Sequence, residues 1–439
     1  TRGGAFAAPG VRPERYSALQ RVRSLASLLT PEPNEFYNEK ISILTGATGT
    51  QGDNVANYCD PNPPQPGALK QCTQNFQFGD WYSATHVNNV NKIGYLLNRA
   101  DIPGIIRNTG PMDNPLVPDI LWRLADTRDQ LALELYLQGI MMERALEPVL
   151  INGDPTKAHT DTEIGFIKEF LGLSSQIKTG YEDFDSGRTC EAADSIVINF
   201  NTTIGGTIGG GDGRTITTTI GDLVYAVRDR AKYVGMRDGL ELAFIMREEV
   251  FRVLTDYYAN TYATSRFQAA TLTAGSPVIQ IATEANNLRL EMLNGQFLLV
   301  EGLPIPVIFS DGMPFEGMGS NVYNTDIFLV PISWQGAKLL RFEYFNLGNP
   351  YASKYVNFVN GEDHMVINNG LYGMTAQKTA FCKQYLFASS QRLILEAPFL
   401  AGRIDNVQFT YLAATRNGTP GQSLYVNGGV SYYQPTGSY

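Results

Sequence analysis

One predicted helix constrains this chain more than any other feature. From Asp119 to Glu147, with Val149 just beyond, Leu121, Leu124, Leu131, Leu135, Met142, Leu146 and Val149 recur at spacings of three, four and seven, which is one stripe of a helix. Leu133, Leu137 and Ile140 add a second apolar strip, so the helix is expected to be covered on more than one side. Asp119 after Pro118 supplies an N-cap, and Pro148 marks the expected end. At about 1.5 Å per residue it reaches roughly 40 Å, a strut rather than an ordinary core helix. Ile151-Asn152-Gly153-Asp154-Pro155 then turns the chain.

The segment before the strut cannot bury a core of its own. Residues 1–40 hold small residues, a weakly helical Tyr16–Leu29 and Thr30-Pro31-Glu32-Pro33, and read as an arm. A short strand, Ile41–Leu44, precedes a Gly/Pro/Thr/Asn/Gln-rich stretch from Thr45 to Gln74; such long loops are uncommon and usually functional. Asn75–Val90 then alternates as a strand, with Phe76, Phe78, Tyr82 and Ala84 on one side. Together these form an extended hairpin carrying a Pro-rich loop near its tip. An isolated two-stranded ribbon is marginal in water, so Phe76, Phe78 and Tyr82 are expected to contact a neighbouring subunit.

Beyond the strut the texture is α+β. Thr219 is read as a helix cap with Asp222 in the capping-box position, and Leu223, Val227, Ala231 and Val234 form the apolar face. A strand over Leu240–Met246 and a helix over about Arg247–Asn260 follow. Further strands fit Val278–Ala282, Gln296–Glu301, Ile305–Ser310, Asp326–Ser333, Lys338–Phe345, Ala380–Phe387, Arg392–Ala397 and Arg403–Leu412. The Gly-rich run Gly205–Gly213 lacks a following GKS or GKT and is read as a connector, not a phosphate loop.

No catalytic constellation can be assembled. There is no GxSxG elbow, and His86, His159 and His364 are scattered. The adjacent carboxylates Glu248 and Glu249 diverge on a helix, and the acidic turn Tyr181–Gly187 lacks EF-hand spacing. The four cysteines (59, 72, 190 and 382) are too few for a disulfide scaffold and lack metal-site spacing. Cys59 and Cys72 flank the Pro-rich segment, so a bridge between them stands beside the reading of two unpaired thiols. No cofactor or metal is expected. A net charge of -9, from 34 Lys plus Arg against 43 Asp plus Glu, with no basic run, argues against tight nucleic-acid binding. No stretch approaches the roughly 20 apolar residues of a membrane helix, and no signal-peptide h-region follows Thr1. The expectation is a soluble chain; for its start at Thr1, routine Met removal is favoured over proteolytic maturation.

The order of elements — arm, hairpin, strut, α+β domain, late strands — resembles the major capsid proteins of tailed bacteriophages, the Hong Kong phage 97 type. Leu131–Pro155, LALELYLQGIMMERALEPVLINGDP, is similar to that family's spine helix and "NGD" turn. Thr217–Leu254, ending in MREEVFRVL, is similar to the start of its axial domain, and Gly302–Val307 to Met313-Pro314 to later text in that domain. The resemblance runs in order from about residue 40 to 412.

The resemblance implies an N-terminal arm (1–45), an extended loop (46–95), a peripheral domain (96–213) with the spine helix over about 119–147, an axial domain (214–370), returning strands (371–413) and a tail (414–439). It implies hexamers and pentamers closing into an icosahedral shell around double-stranded viral DNA, held without sequence-specific binding. No membrane is involved. Portal and decoration or scaffold proteins are the implied partners, with assembly in the host cytoplasm and residence in the virion capsid. Some members weld neighbours through a Lys in the extended loop; Lys70, the only Lys between Gly46 and Val90, is the matching position, and welding is not the favoured reading. The alternatives are an encapsulin-like shell around cargo enzymes and an unrelated α+β enzyme, which a titratable cluster in one deep pocket would support.

Overall fold

A computed structural model describes residues 25, 29–36, 38–48, 68–88, 142, 145–157, 165–208, 213–268, 277–300, 302–319, 322–347, 364–367, 371–379, 382–410, 426–427 and 430–431. The chain is α+β.

Its strands assort into two large sheets. The first has seven strands: β1 (Glu32–Asn34), β4 (Gly79–Asn88), β5 (Gly165–Lys168), β13 (Leu340–Phe345), β14 (His364–Ile367), β15 (Tyr372–Thr379) and β16 (Cys382–Leu395). β16 is its interior strand. It pairs antiparallel with β15, with β4 from Cys382↔Asn88 to Gln391↔Gly79, and with β13 from Tyr344↔Gln391 to Leu340↔Leu395.

The second sheet has eight strands. β6 (Ile196–Thr203), β17 (Gly402–Thr410), β11 (Val322–Trp334), β7 (Leu240–Met246), β9 (Leu303–Phe309) and β8 (Phe297–Val300) follow one another in that order, and β10 (Glu316–Gly319) and β12 (Ala337–Lys338) pair with β11. Here β17 is interior, parallel to β6 and antiparallel to β11. Gly402 and Ile404, then Val407 and Phe409, are buried on β17 at the strand period of two, and a bulge at Asp405–Val407, where Asn406 has φ 59°, brings Ile404, Val407 and Phe409 into one cluster.

Two large apolar clusters form, and the first is shared, since Ile245, Phe328 and Val330 of the eight-stranded sheet pack into the cluster of the seven-stranded one. A helix over 145–152, α1, is the described end of the expected strut. With Met142 it buries Leu146, Val149 and Leu150 against Trp81, Phe170, Phe342, Phe387 and Leu393. Residues 119–141, including Leu131 and Leu135, lie outside the described residues. Pro148 does not end the helix as expected; the helix runs on to Asn152, and the Gly153 amide still donates to the Val149 carbonyl at 2.8 Å. Gly153 permits the turn, since a Cβ there would stand 2.3 Å from the Phe170 carbonyl oxygen. The second cluster joins Leu223 and Val227 of α3 (Ile216–Tyr233) and Phe251 and Leu254 of α4 (Glu248–Gln268) to Phe200, Phe244, Ile327 and Phe409.

Several expectations need correction. The cap of α3 is Thr215, not Thr219: its side chain accepts from the Thr218 amide, and its carbonyl takes the Thr218 and Thr219 hydroxyls at 2.8 and 2.9 Å. Val278–Ala282 is not a strand but the first turns of α5 (Pro277–Gly295). Its β-branched residues give a local strand signal that the pairing of α5 with α4, through buried Ala259 and Met292, overrides. Sheet membership also cuts across the expected boundaries. Leu340–Phe345, expected in the axial segment, belongs to the seven-stranded sheet, and Ile196–Thr203, expected in the peripheral segment, to the eight-stranded one. The tail over 414–439 shows only the short pair Val426–Asn427 and Val430–Ser431 among the described residues.

Candidate functional site

The extended hairpin is real in its first arm and different in its second. β2 (Asn38–Thr48) and β3 (Ala68–Gln77) pair antiparallel from Asn38↔Gln77 to Thr48↔Ala68, as a two-stranded sheet apart from the two large ones. At about 3.4 Å per residue β2 is roughly 35 Å long. The expected second arm, Asn75–Val90, is instead divided. Its start completes β3, and after Phe78 the chain becomes β4 of the seven-stranded sheet. Gly79 makes that entry possible, because a Cβ would lie 2.7 Å from the Phe170 amide nitrogen. The tip, residues 49–67 with Cys59 and the Pro-rich segment, lies outside the described residues.

This placement buries two of the four contact candidates in the chain itself. Phe76 is 1% exposed and Phe78 is fully buried, so this chain already consumes the apolar faces expected to wait for a neighbour. Phe78 packs edge-on against Phe345, with centroids 5.8 Å apart, beneath the Arg392 guanidinium at 4.3 Å. Tyr82 is half-buried on β4, opposite Ala388. Lys70 lies on β3 opposite Gly46, where the ladder register shifts. The exposed apolar residue of the hairpin is one the sequence reading passed over: Leu44, 65% exposed on β2 and paired with exposed Gln71.

Two built devices hold the root of the hairpin. The first is a short clasp from Tyr181 to Cys190, closed by the Glu182↔Thr189 bridge. Adjacent strand residues face opposite sides, and the clasp meets both sides of β3. On one side Cys72 forms a disulfide with Cys190, with Cα atoms 6.1 Å apart, among Ile43, Tyr181 and Ala193. On the other, Asp183 accepts from the Thr73 amide at 2.7 Å and from its hydroxyl, while the Phe184 amide donates to the Thr73 carbonyl at 2.9 Å. Hydrogen bonds from Ser186, and then from Thr73, hold the Asp183 carboxyl well below the usual carboxylate range. The acidic turn is thus a structural latch on β3. The expected choice for Cys72, between Cys59 and no partner, is corrected: its partner is Cys190, 118 residues away.

The second device is a buried ion network. Arg392, fully buried on β16, donates to Glu343 at 2.9 and 2.6 Å, to Glu39 of β2, and to the carbonyls of Phe36 and Phe76. Arg341 adds bonds to Glu343 at 2.6 Å and to Glu39 at 3.5 Å. One guanidinium therefore ties the seven-stranded sheet to both strands of the hairpin.

A third junction sits at the end of α1. Buried Glu147 accepts the Leu25 amide at 3.0 and 2.9 Å and the Ser310 hydroxyl. Gly312 packs so closely that a Cβ would stand 2.3 Å from the Glu147 carbonyl oxygen. The N-terminal segment, the strut and the loop after β9 meet there.

A hollow of about 620 Å³ lies between α3, β7 and β9. Its lining is apolar apart from Arg228, Arg237 and Glu241. It contains no His or Cys and no carboxylate pair, and no three metal-ligating side chains converge among the described residues.

No family model and no curated protein matches the chain. Among solved structures it is similar to the capsid asymmetric unit of cyanophage A-1(L), with a TM-score of 0.46, 10% identity, and coverage of 89% of this chain and 95% of that one. It is also similar to the capsid of Myoviridae phage XM1, at TM-score 0.44 and 9% identity over 92% of this chain and 100% of that one. A third is the SrpI encapsulin of Synechococcus elongatus PCC 7942, at TM-score 0.42 and 12% identity over 91% and 92%. Likeness at this level leaves the function to be argued from the chain's own residues.

Proposed function

We propose that this chain is a structural major capsid protein that assembles into hexamers and pentamers, forming an icosahedral shell around double-stranded viral DNA. The observation that carries the reading is the hairpin. It forms a separate two-stranded sheet roughly 35 Å long, anchored at its root among the described residues, with an exposed Leu44 farther out. A two-stranded ribbon is not stable alone, and a fold that clasps its root so firmly has use for its reach. Rings close when a head-to-tail contact repeats with a rotation, and a projecting arm supplies such a contact. The sequence resemblance of the strut and its Asn152-Gly153-Asp154 turn points the same way.

In this reading the seven-stranded sheet with the strut is the peripheral body, and the eight-stranded sheet with α3 to α5 the axial body. The net charge of -9 suits a container that must not hold its DNA on the wall. Portal, scaffold and decoration proteins, host-cytoplasm assembly and a virion location belong to the same proposal.

Negative-stain microscopy of the purified chain tests it, the expected result being rings or closed shells. Replacing residues 49–67 by a tight turn spares the clasp, so the melting temperature should stay within about 2 °C of the parent while shell yield falls severalfold. A chain that stays monomeric under all assembly conditions, or a shortened hairpin that assembles normally, overturns the reading. Particles that retain an enzyme in place of DNA would favour the encapsulin-like alternative.

A further inference from the structure

We propose that the Cys72–Cys190 pair is a redox latch that sets whether the hairpin is locked to the body or free to swing about its root. The argument rests on where the bond lies. It joins β3 to the 181–190 clasp and touches neither of the two large apolar clusters. The cluster around it holds only Ile43, Tyr181 and Ala193 besides the two cysteines, with Phe399 packed against it. A bond placed there does not hold the sheets together; it holds the hairpin to them.

Without the bond, the clasp keeps the Thr73–Asp183 contacts, the Phe184 amide bond to Thr73 and the exposed Lys40–Asp185 pair at 2.5 Å. The Thr73–Asp183 bonds are buried and the Lys40–Asp185 pair is exposed. Inward of them the Arg392 network keeps Glu39 and Phe76 on the seven-stranded sheet, so the covalent tie decides whether the hairpin outward of Phe76 is fixed or hinged. Reducing compartments keep such pairs as thiols and oxidising ones close them.

The exchange has an access order. Cys72 is fully buried and Cys190 is 8% exposed, so a low-molecular-weight thiol meets the Cys190 sulfur first. Its thiolate forms a mixed disulfide there and expels Cys72 as a thiolate, which takes up a proton. A second thiol then releases Cys190 and leaves as the small-molecule disulfide. Two external thiols are oxidised for one protein disulfide reduced, and closure by a low-molecular-weight disulfide is the same sequence reversed.

The test uses the intact chain and does not depend on shell formation, because the readout is on the subunit. Non-reducing peptide mapping after alkylation should recover Cys72 linked to Cys190. Hydrogen exchange with and without dithiothreitol should then show amides of β2 and β3 exchanging at least tenfold faster when reduced, with the β13–β16 ladder unchanged. Cys190→Ser should reproduce the reduced pattern without reductant, and if that variant does not fold, the reduced parent supplies the same comparison. Recovery of Cys72 linked to Cys59, or of both thiols free in air-exposed protein, overturns the proposal. So does equal hairpin exchange in the two states. A rise throughout the seven-stranded sheet would make the bond a structural staple and not a latch.

Discussion

The two large sheets are assembled from the chain in opposite ways. The eight-stranded sheet takes its strands from residues 196–338, in mostly short steps, and then from 402–410. The seven-stranded sheet gathers pieces at 32–34, 79–88, 165–168, 340–345 and 364–395. Its segments share a large apolar cluster, and specific buried polar groups add to it, above all Arg392 with Glu343 across β16 and β13 and with Glu39 of the hairpin. The eight-stranded sheet is held by a continuous apolar cluster from Phe200 to Phe409. A sheet gathered from distant segments needs addresses, and buried charges are addresses: they tolerate one arrangement and penalise the rest.

The sharpest way to break this contrast is Arg392→Ala. It leaves Glu343, 2% exposed, without its main partner, which should cost about 3–5 kcal/mol. Chemical denaturation followed by hydrogen exchange should show β4, β13 and β16 losing protection before β7, β11 and β17. Simultaneous loss from both sheets would mean that they fold as one unit and that the contrast is only one of architecture.

A second experiment probes a charge within the apolar-built sheet. Burial raises the Asp326 carboxyl to about 6, with nearby Asp405 and Glu316 raising it further and Asn406 and Arg403 opposing. The folded state thus keeps a proton that the unfolded chain has already lost between about pH 4 and 6. Stability falls as pH rises through that window, and the full penalty stands above it. Asp326→Asn should be more stable than the parent at pH 8 by on the order of 1–2 kcal/mol, with the gap closing near pH 4. The opposite slope would show that Asp326 is stabilised as a carboxylate.

The smallest effect tests local chemistry alone. Thr215→Ala removes the cap of α3 and should cost about 1 kcal/mol, whereas Thr219→Ala should cost less at the cap itself. Thermal melts of the two variants rank them.

What was legible follows the same divide. Leu240–Met246 and Arg403 onward read as strands because each alternates or runs apolar within its own segment. The apolar face near the strut's end read correctly because Met142, Leu146 and Val149 share it, although the helix runs past Pro148 to Asn152. The strand expected at Val278–Ala282 failed because three β-branched residues spoke louder than the packing of α5 on α4. The hairpin's second arm was misplaced because nothing local tells that the chain leaves the ribbon at Phe78. Sequence pattern carries no trace of a pairing 118 residues apart, so Cys72 was weighed against near Cys59 and not against Cys190. If loop closure dominates, a bond of that span stabilises the folded state by about 4–5 kcal/mol. Glu147 read only as the end of the strut; its hydrogen-bond partners, Leu25 and Ser310, are distant in sequence.

β16 and β17 are interior strands of the two sheets, and both come from residues 382–410. A ribosome delivers them after every other strand of the two sheets. Until then β6 and β11 lack the strand that joins them, and β4, β13 and β15 have no common neighbour. A polypeptide released early by premature termination would therefore be defective in both sheets at once, so clearance by proteases would meet an open chain. Synthesis of residues 382–410 acts as the licence to fold, and a copy that stops before them lacks the joining strand of both sheets.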